Sequence, residues 1–396
     1  MSFKIVYGKS GSGKSTYCYN DIKSKINSAE KIFIIVPEQF SFTAEKNLVD
    51  LFENKSTINA EVLTLSRMAY RVISEVGNDN KISLSKSSKS MIIYDILLSE
   101  KENLKFLGKT DKNLELLERT FTELKKHNIT AETLDSINIE NEYLKNKITD
   151  IKNIYEKYTE RISSEYIDEN DSLTILAEKL DETDMFKNSN IYIDEFIGFT
   201  PQEYLVIEKL MKRASMLTVT VCTDGLNVEK PKENDIFYFN KLTAQKLIEI
   251  ANLNNIKIEN EIYLKENLRT KKEELKFIEE NLYSINSSVY EKENAAVKIF
   301  LSNNPYSEME YVAKNIVKFV REKNYRYKEI GIITKNIDSY SSNAKAIFEK
   351  YDIPLFIDEK KDLSNNILVK YIYEKYTERI ASEYIDENDS LTILAE

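Results

Sequence analysis

The stretch Phe3-Lys4-Ile5-Val6-Tyr7-Gly8-Lys9-Ser10-Gly11-Ser12-Gly13-Lys14-Ser15-Thr16 decides how this chain is read. An apolar run breaks into glycines, and the segment from Thr16 to Ile26 then has helical character. Every position fits G-x-x-x-x-G-K-[ST], a pattern whose glycines let backbone N–H groups curl around phosphates at a helix N-terminus. In that chemistry Gly8, Lys9, Ser10, Gly11, Ser12, Gly13, Lys14, Ser15 and Thr16 form a nucleotide-binding loop. Lys14 reaches the β- and γ-phosphates, and the Ser15 hydroxyl serves Mg²⁺. A chance glycine-rich turn is the competing reading; the buried-type strand before the loop and the helix after it argue against that.

Working outward, Lys31-Ile32-Phe33-Ile34-Ile35-Val36 is almost wholly apolar, the pattern of a parallel strand buried on both faces. Phe40 and Thr43 follow just past its end, where open α/β sheets bind ligands, and are expected to touch DNA; a loop leading into a helix cap is the plainer alternative. A third strand, Ala60 to Leu65, runs into Ser66-Arg67-Met68-Ala69-Tyr70-Arg71. There Ser66 and Arg67 could present a phosphate-contacting edge to nucleic acid, or simply a solvated helix face. Between about Leu84 and Leu180 strand signals give way to helical spacing, in Lys89 to Leu98, Leu114 to Lys126 and Tyr143 to Ser164.

A second chemical signal follows in Asn190-Ile191-Tyr192-Ile193-Asp194-Glu195-Phe196. A short apolar strand ending in paired acids is what nucleotide hydrolysis needs beside a phosphate loop: Asp194 to hold Mg²⁺ and Glu195 to polarise the attacking water. With Lys14 these are the expected catalytic residues, and Ser15 and Asp194 the expected metal ligands. Leu217 to Cys222 adds another core strand, so at least five parallel strands should alternate with helices.

Composition narrows the classes. A chain of 396 residues can hold two or three domains. Its 56 Lys plus Arg against 66 Asp plus Glu leave a net charge of −10, so contact with nucleic acid must be local rather than a global attraction. Cys18 and Cys222 lie in apolar stretches without metal-ligand spacing; this suits a reducing cytoplasm, with no disulfide and no zinc or iron–sulfur site here. The single histidine, His127, leaves little room for histidine-based catalysis. With no signal segment and no apolar run of spanning length, a cytoplasmic protein without a membrane partner is expected.

Several of these stretches, in order, resemble a family. The Lys14 loop, Ile35-Val36-Pro37-Glu38-Gln39, Leu63-Thr64-Leu65-Ser66-Arg67 and Ile193-Asp194-Glu195-Phe196-Ile197-Gly198-Phe199-Thr200-Pro201 resemble the N-terminal part of the AddB/RexB subunit of bacterial ATP-dependent helicase–nucleases. Later pieces agree, including Lys241 to Leu247, Asn267-Leu268-Arg269, Asn304 to Glu310, Tyr327 to Thr334 and Asp352 to Asp358. The resemblance runs to about residue 371.

It implies an α/β fold of the superfamily-one helicase type: a RecA-like P-loop NTPase core over 1–83 and 186–297, an all-helical insertion over 84–185, and the start of a second RecA-like domain over 298–371. It further implies ATP and Mg²⁺ as cofactors, an AddA-type helicase–nuclease partner, and single- and double-stranded DNA ends as substrates in recombinational repair of breaks. The family's nuclease domain and iron–sulfur cluster lie downstream of this chain. So do the later helicase motifs, with the arginine that meets the γ-phosphate across the cleft, and Lys335 stands where active relatives often place an arginine. Slow or absent hydrolysis is therefore expected of this stretch.

Two alternatives stay open: a catalytically silent scaffold that reads DNA and binds its partner, and a stand-alone P-loop NTPase or kinase. The helical insertion and an expected strand at Ile330 to Thr334 exceed what the latter needs.

An internal repeat is of another kind. Ile154 to Glu178 and Ile372 to Glu396 match except for Ser163 against Ala381. Diverged natural repeats almost never stay so alike, so 372–396 is read as a cloning or gene-assembly product, with a deliberate engineered addition as the alternative. A tail of this sequence would pack poorly or swap into the insertion of a neighbouring copy.

Overall fold

In a computed structural model of the chain, residues 1–26, 30–52, 59–77, 82–107, 114–163, 166–226, 231, 233–283, 288–293, 295–358 and 366–372 are described. The chain divides into two compact units at Lys292/Glu293.

The first unit is built on a parallel sheet. From the N-terminus it comprises β1 (Ser2–Gly8), α1 (Lys14–Lys25), β2 (Ile32–Ile35), α2 (Ser41–Asp50), β3 (Ala60–Leu63) and α3 (Leu65–Val76). A helical excursion follows with β4 (Ile82–Ser83), α4 (Lys86–Ser99), α5 (Leu114–Lys126), α6 (Ala131–Asp135), α7 (Glu142–Ser163) and β5 (Tyr166–Ile167). The chain then returns through α8 (Ser172–Lys179), β6 (Asn190–Ile193), α9 (Pro201–Met211), β7 (Met216–Cys222), α10 (Tyr238–Leu253), β8 (Lys257–Ile258), β9 (Ile262–Tyr263) and α11 (Glu273–Asn281). Strand order is β3-β2-β6-β7-β1-β8, with β9 also on β1, and every pairing is parallel.

Alternation along the strands explains the layers. On β2, Phe33 and Ile35 enter one core with α3, α8, α9 and α10, while Ile32 and Ile34 enter another with α1 and α2. On β6, Ile191 and Ile193 join the first core and Tyr192 the second. Both faces are thus covered by helices, which is why these strands read as continuous apolar runs. Each such fully buried side chain contributes about 1.5–3 kcal/mol of transfer free energy.

The excursion has its own core, Phe121 tilted on Tyr155 and Tyr158 with ring centroids 5.0 and 5.5 Å apart, joined by Ile93, Ile154 and Ile162. Beside it lies a buried polar cluster: Asp168 receives the Lys125 ammonium at 3.0 Å, the Lys89 ammonium at 3.1 Å and the Tyr158 hydroxyl at 2.8 Å. The excursion is not wholly helical as expected, because Tyr166–Ile167 forms a short parallel pair with Ile82–Ser83. Two-residue strands carry too little periodicity to be seen in sequence. Gln202 on α9 donates to Asn170 O at 2.9 Å and Thr174 Oγ1 at 3.0 Å, tying the segment after the excursion to the sheet's helical layer.

The second unit packs α12 (Pro305–Lys323) on α13 (Asp338–Lys350) through Met309, Ala313, Ile316, Ala344, Ile347 and Phe348. The strand expected at Ile330 to Thr334 does not form, and no strand occurs among this unit's described residues. Ile330 has extended torsions, yet Ile333 is 99% exposed; without a neighbour to complete a ladder, an apolar extended segment is not a strand. Apart from Ile372, the second copy of the repeat lies outside the described residues.

Candidate functional site

Parallel pairing sends the ends of β1, β6 and β7 to the same edge of the sheet, where chain order puts the glycine loop and the acidic pair. Gly8 closes β1 and Gly13 opens α1 with φ +87°, leaving the helix without a side-chain cap, so its leading N–H groups are not taken up by one. Gly11 also has positive φ, +82°. The Lys14 ammonium donates to Gly8 O and Lys9 O, both at 2.9 Å, and so lies folded over its own loop. The Ser12 hydroxyl is buried and without a hydrogen-bond partner.

Across the loop, Ser15 Oγ donates to Glu195 Oε1 at 3.0 Å. Asp194, 4% exposed, accepts a short hydrogen bond from Thr220 Oγ1 on β7. Glu195 is exposed and holds φ at +66°, which turns its carboxylate from the strand toward the loop. Ser10, Lys14, Ser15, Thr16, Asp194 and Glu195 thereby line one cavity of about 500 Å³.

Among the lining residues that the sequence reading does not pick out, two carry polar side chains that hydrogen-bond to expected site residues. Thr220 could have been found as a polar residue facing inward from the apolar β7. Arg269, in a segment quoted only for its family resemblance, lines the cavity and donates to Ser10 Oγ at 3.2 Å. An arginine is thus present from this unit itself, besides any supplied by later motifs. Burial pushes the Cys18 thiol well up, while Cys222 sits on the cavity wall.

The expected DNA-contacting residues fall elsewhere on the same edge. Ser66 and Arg67, on the first turn of α3 behind the Thr64 cap, line a separate groove of about 790 Å³ with Glu61, Tyr70 and Arg71. Arg67 pairs with Glu45 of α2 at 2.5 Å, and Arg71 pairs closely with Glu61. Thr43 is exposed one half-turn before Glu45, and Phe40 is half-buried against the α1/α2 core; neither lines the groove.

The arrangement defines a class: a parallel α/β protein with a glycine-rich loop and a strand-end acid pair meeting in one cavity. Comparison with known proteins gives the family. The family model described as "ADDB, N-terminal" matches residues 5–279, and the chain belongs to this family. It is 42% identical over 386 residues to the B subunit of an ATP-dependent helicase/deoxyribonuclease of Clostridium tetani (strain Massachusetts / E88), covering 94% of this chain and 34% of that protein. Proteins of the same description from Clostridium kluyveri (strain NBRC 12016) and Clostridium perfringens (strain ATCC 13124) are 40% and 37% identical, over 93% and 94% of this chain and 33% of each relative. The chain thus spans about a third of the length of these curated relatives. Among the described residues no helix is long and apolar enough to cross a membrane.

Proposed function

We propose that the first unit is a RecA-like P-loop ATPase core with a helical insertion, which binds ATP with Mg²⁺ and single-stranded DNA as part of a helicase–nuclease subunit of the AddB kind. The observation that carries this is the Ser15–Glu195 hydrogen bond, which draws the loop and the acid pair into one cavity. The residues fit the ligands. Glycines at positive φ, the folded-over Lys14 and the partnerless Ser12 hydroxyl suit a polyphosphate. A hydroxyl with one or two carboxylates suits Mg²⁺, which keeps most of its ligands as water and phosphate; no group of three or more acidic, histidine or cysteine ligands occurs among the described residues.

In this reading Lys14 and Arg269 neutralise phosphate charge, Ser15 and Asp194 hold the metal, and Glu195 orients water, with Thr220 fixing the Asp194 carboxylate. Mg²⁺, when bound there, would supply further neutralisation of phosphate charge. Phe40, Thr43, Ser66 and Arg67 contact DNA on the neighbouring surface. The whole protein acts in the cytoplasm with an AddA-type partner on double-strand ends during recombinational repair, and the second unit begins a second RecA-like domain.

The test is equilibrium binding of a labelled ATP analogue, with and without Mg²⁺, to the chain and to Lys14→Ala. Micromolar, Mg²⁺-dependent binding lost on substitution supports the reading. No binding by a folded chain overturns it in favour of a catalytically silent DNA-reading scaffold.

A further inference from the structure

The segment between β9 and α11 runs along the phosphate loop as a strap. Leu264 N–H donates to Tyr7 O and Leu268 N–H to Gly11 O, both at 2.8 Å. The glycines permit this approach: a Cβ on Gly8 would lie 2.4 Å from Leu264 O, one on Gly11 2.8 Å from Arg269 Cβ, and one on Gly13 3.0 Å from Leu268 Cδ1. The three loop glycines thus make room for protein as well as for phosphate.

Asn267 ties the strap. Its Oδ1 accepts from the N–H groups of Arg269 at 2.9 Å and Thr270 at 3.2 Å, forming a tight turn, while its amide donates closely to Glu279 Oε2 on α11. The other Glu279 oxygen faces Lys9 Nζ at 4.0 Å. With Arg269 donating to Ser10, the contacts close a ring through Lys9, Ser10, Arg269, Asn267 and Glu279. Arg269 is exposed, and ordering a long side chain forfeits more rotamer freedom than one hydroxyl contact returns, so its placement at the cavity must come from the backbone turn beneath it.

We propose that Asn267 and Glu279 are positioning residues of the nucleotide site, holding Arg269 at the cavity through the 267–270 turn, with Glu279 also facing Lys9 of the loop. The inference rests on the cavity being the ATP–Mg²⁺ site. A guanidinium held there senses the extra charge of a triphosphate, so the pair should govern preference for ATP over ADP more than nucleotide binding as such.

The experiment measures binding of a labelled ATP analogue and of ADP, each with Mg²⁺, to the full chain and to Asn267→Ala, Glu279→Ala and Glu279→Gln, together with amide hydrogen exchange. Asn267→Ala and Glu279→Ala should weaken the triphosphate about tenfold, as loss of one charge-assisted hydrogen bond does, with a smaller effect on ADP. Exchange should rise at Leu268, Arg269 and Thr270 and stay unchanged in β7. Glu279→Gln, still able to accept from Asn267, should recover most of the loss. Equal weakening of both nucleotides, unchanged selectivity, or exchange rising across the whole sheet overturns the inference while leaving the ATP site standing. No nucleotide binding by the unsubstituted chain overturns the site reading and this inference with it.

Discussion

Ser15 donates its hydroxyl to Glu195 Oε1 at 3.0 Å, joining residues 180 positions apart. The contact depends on Glu195 holding φ at +66°, a region that excludes β-branched side chains most strongly. Glu195→Val should therefore destabilise the first unit by about 1–2 kcal/mol more than Glu195→Asn, since asparagine tolerates the left-handed region. Urea unfolding of the two variants checks this, and equal midpoints would contradict it.

Gly11 faces two demands at once, a φ of +82° and contact with Arg269. Gly11→Ala should cost about 1–3 kcal/mol of stability. Gly331→Ala, where an added Cβ meets nothing within 4 Å, should be neutral or stabilise by up to about 1 kcal/mol through the unfolded chain. Thermal unfolding of both variants distinguishes local crowding from a general glycine effect.

Arg67 is held by Glu45 at 2.5 Å, so its guanidinium is partly spent within the protein. If it meets a DNA phosphate, Arg67→Ala should weaken single-strand binding and reduce the logarithmic salt slope by about 0.7. Glu45→Ala should tighten binding by freeing the cation and removing a nearby anion. Fluorescence anisotropy over a salt series reads both, and two unaffected slopes would remove Arg67 from the interface.

The Asp168 cluster sets a pH dependence. Burial alone would raise this carboxyl, but the Lys125 and Lys89 ammoniums, the Asn170 N–H and the Tyr158 hydroxyl hold it well below the usual carboxylate range. A carboxyl lowered in the folded state stabilises above its unfolded value of about 3.9 and loses that contribution as pH falls toward the folded one. Stability from this group should be flat from about pH 8 to 5 and decline below about pH 4. Asp168→Asn should cost about 3–5 kcal/mol at neutral pH, because the buried Lys89 ammonium loses its counter-charge and Lys125 keeps only Asp171, and should flatten the acid limb. Unfolding curves between pH 3 and 8 provide the measurement.

What was legible and what was not follow from range. The β1–loop–α1 unit, the buried β2 and the β6 strand ending in Asp194-Glu195 can be read because their signals are local: periodicity, glycine spacing and a charge at a strand end. Arg269 escaped because it reaches the cavity only by packing against a distant segment, and Asn267 and Glu279 because their contacts form only in the folded chain; the polar Thr220 on the apolar β7 was the one local mark that could have been followed. Ile330 to Thr334 erred the other way: its apolar extended pattern is that of a strand, but a strand also needs a neighbour.

By itself the sequence determined the parallel α/β class, the strand–glycine loop–helix unit and, through ordered motifs, the family, because these depend on side-chain alternation and on short runs whose geometry is set within one turn or strand. Tertiary structure alone decided that Ser15 meets Glu195, that Arg269 reaches the cavity, and that the loop glycines also admit a protein strap. Those relations are set by the β3-β2-β6-β7-β1-β8 order and by loop paths across its edge, which no local pattern encodes.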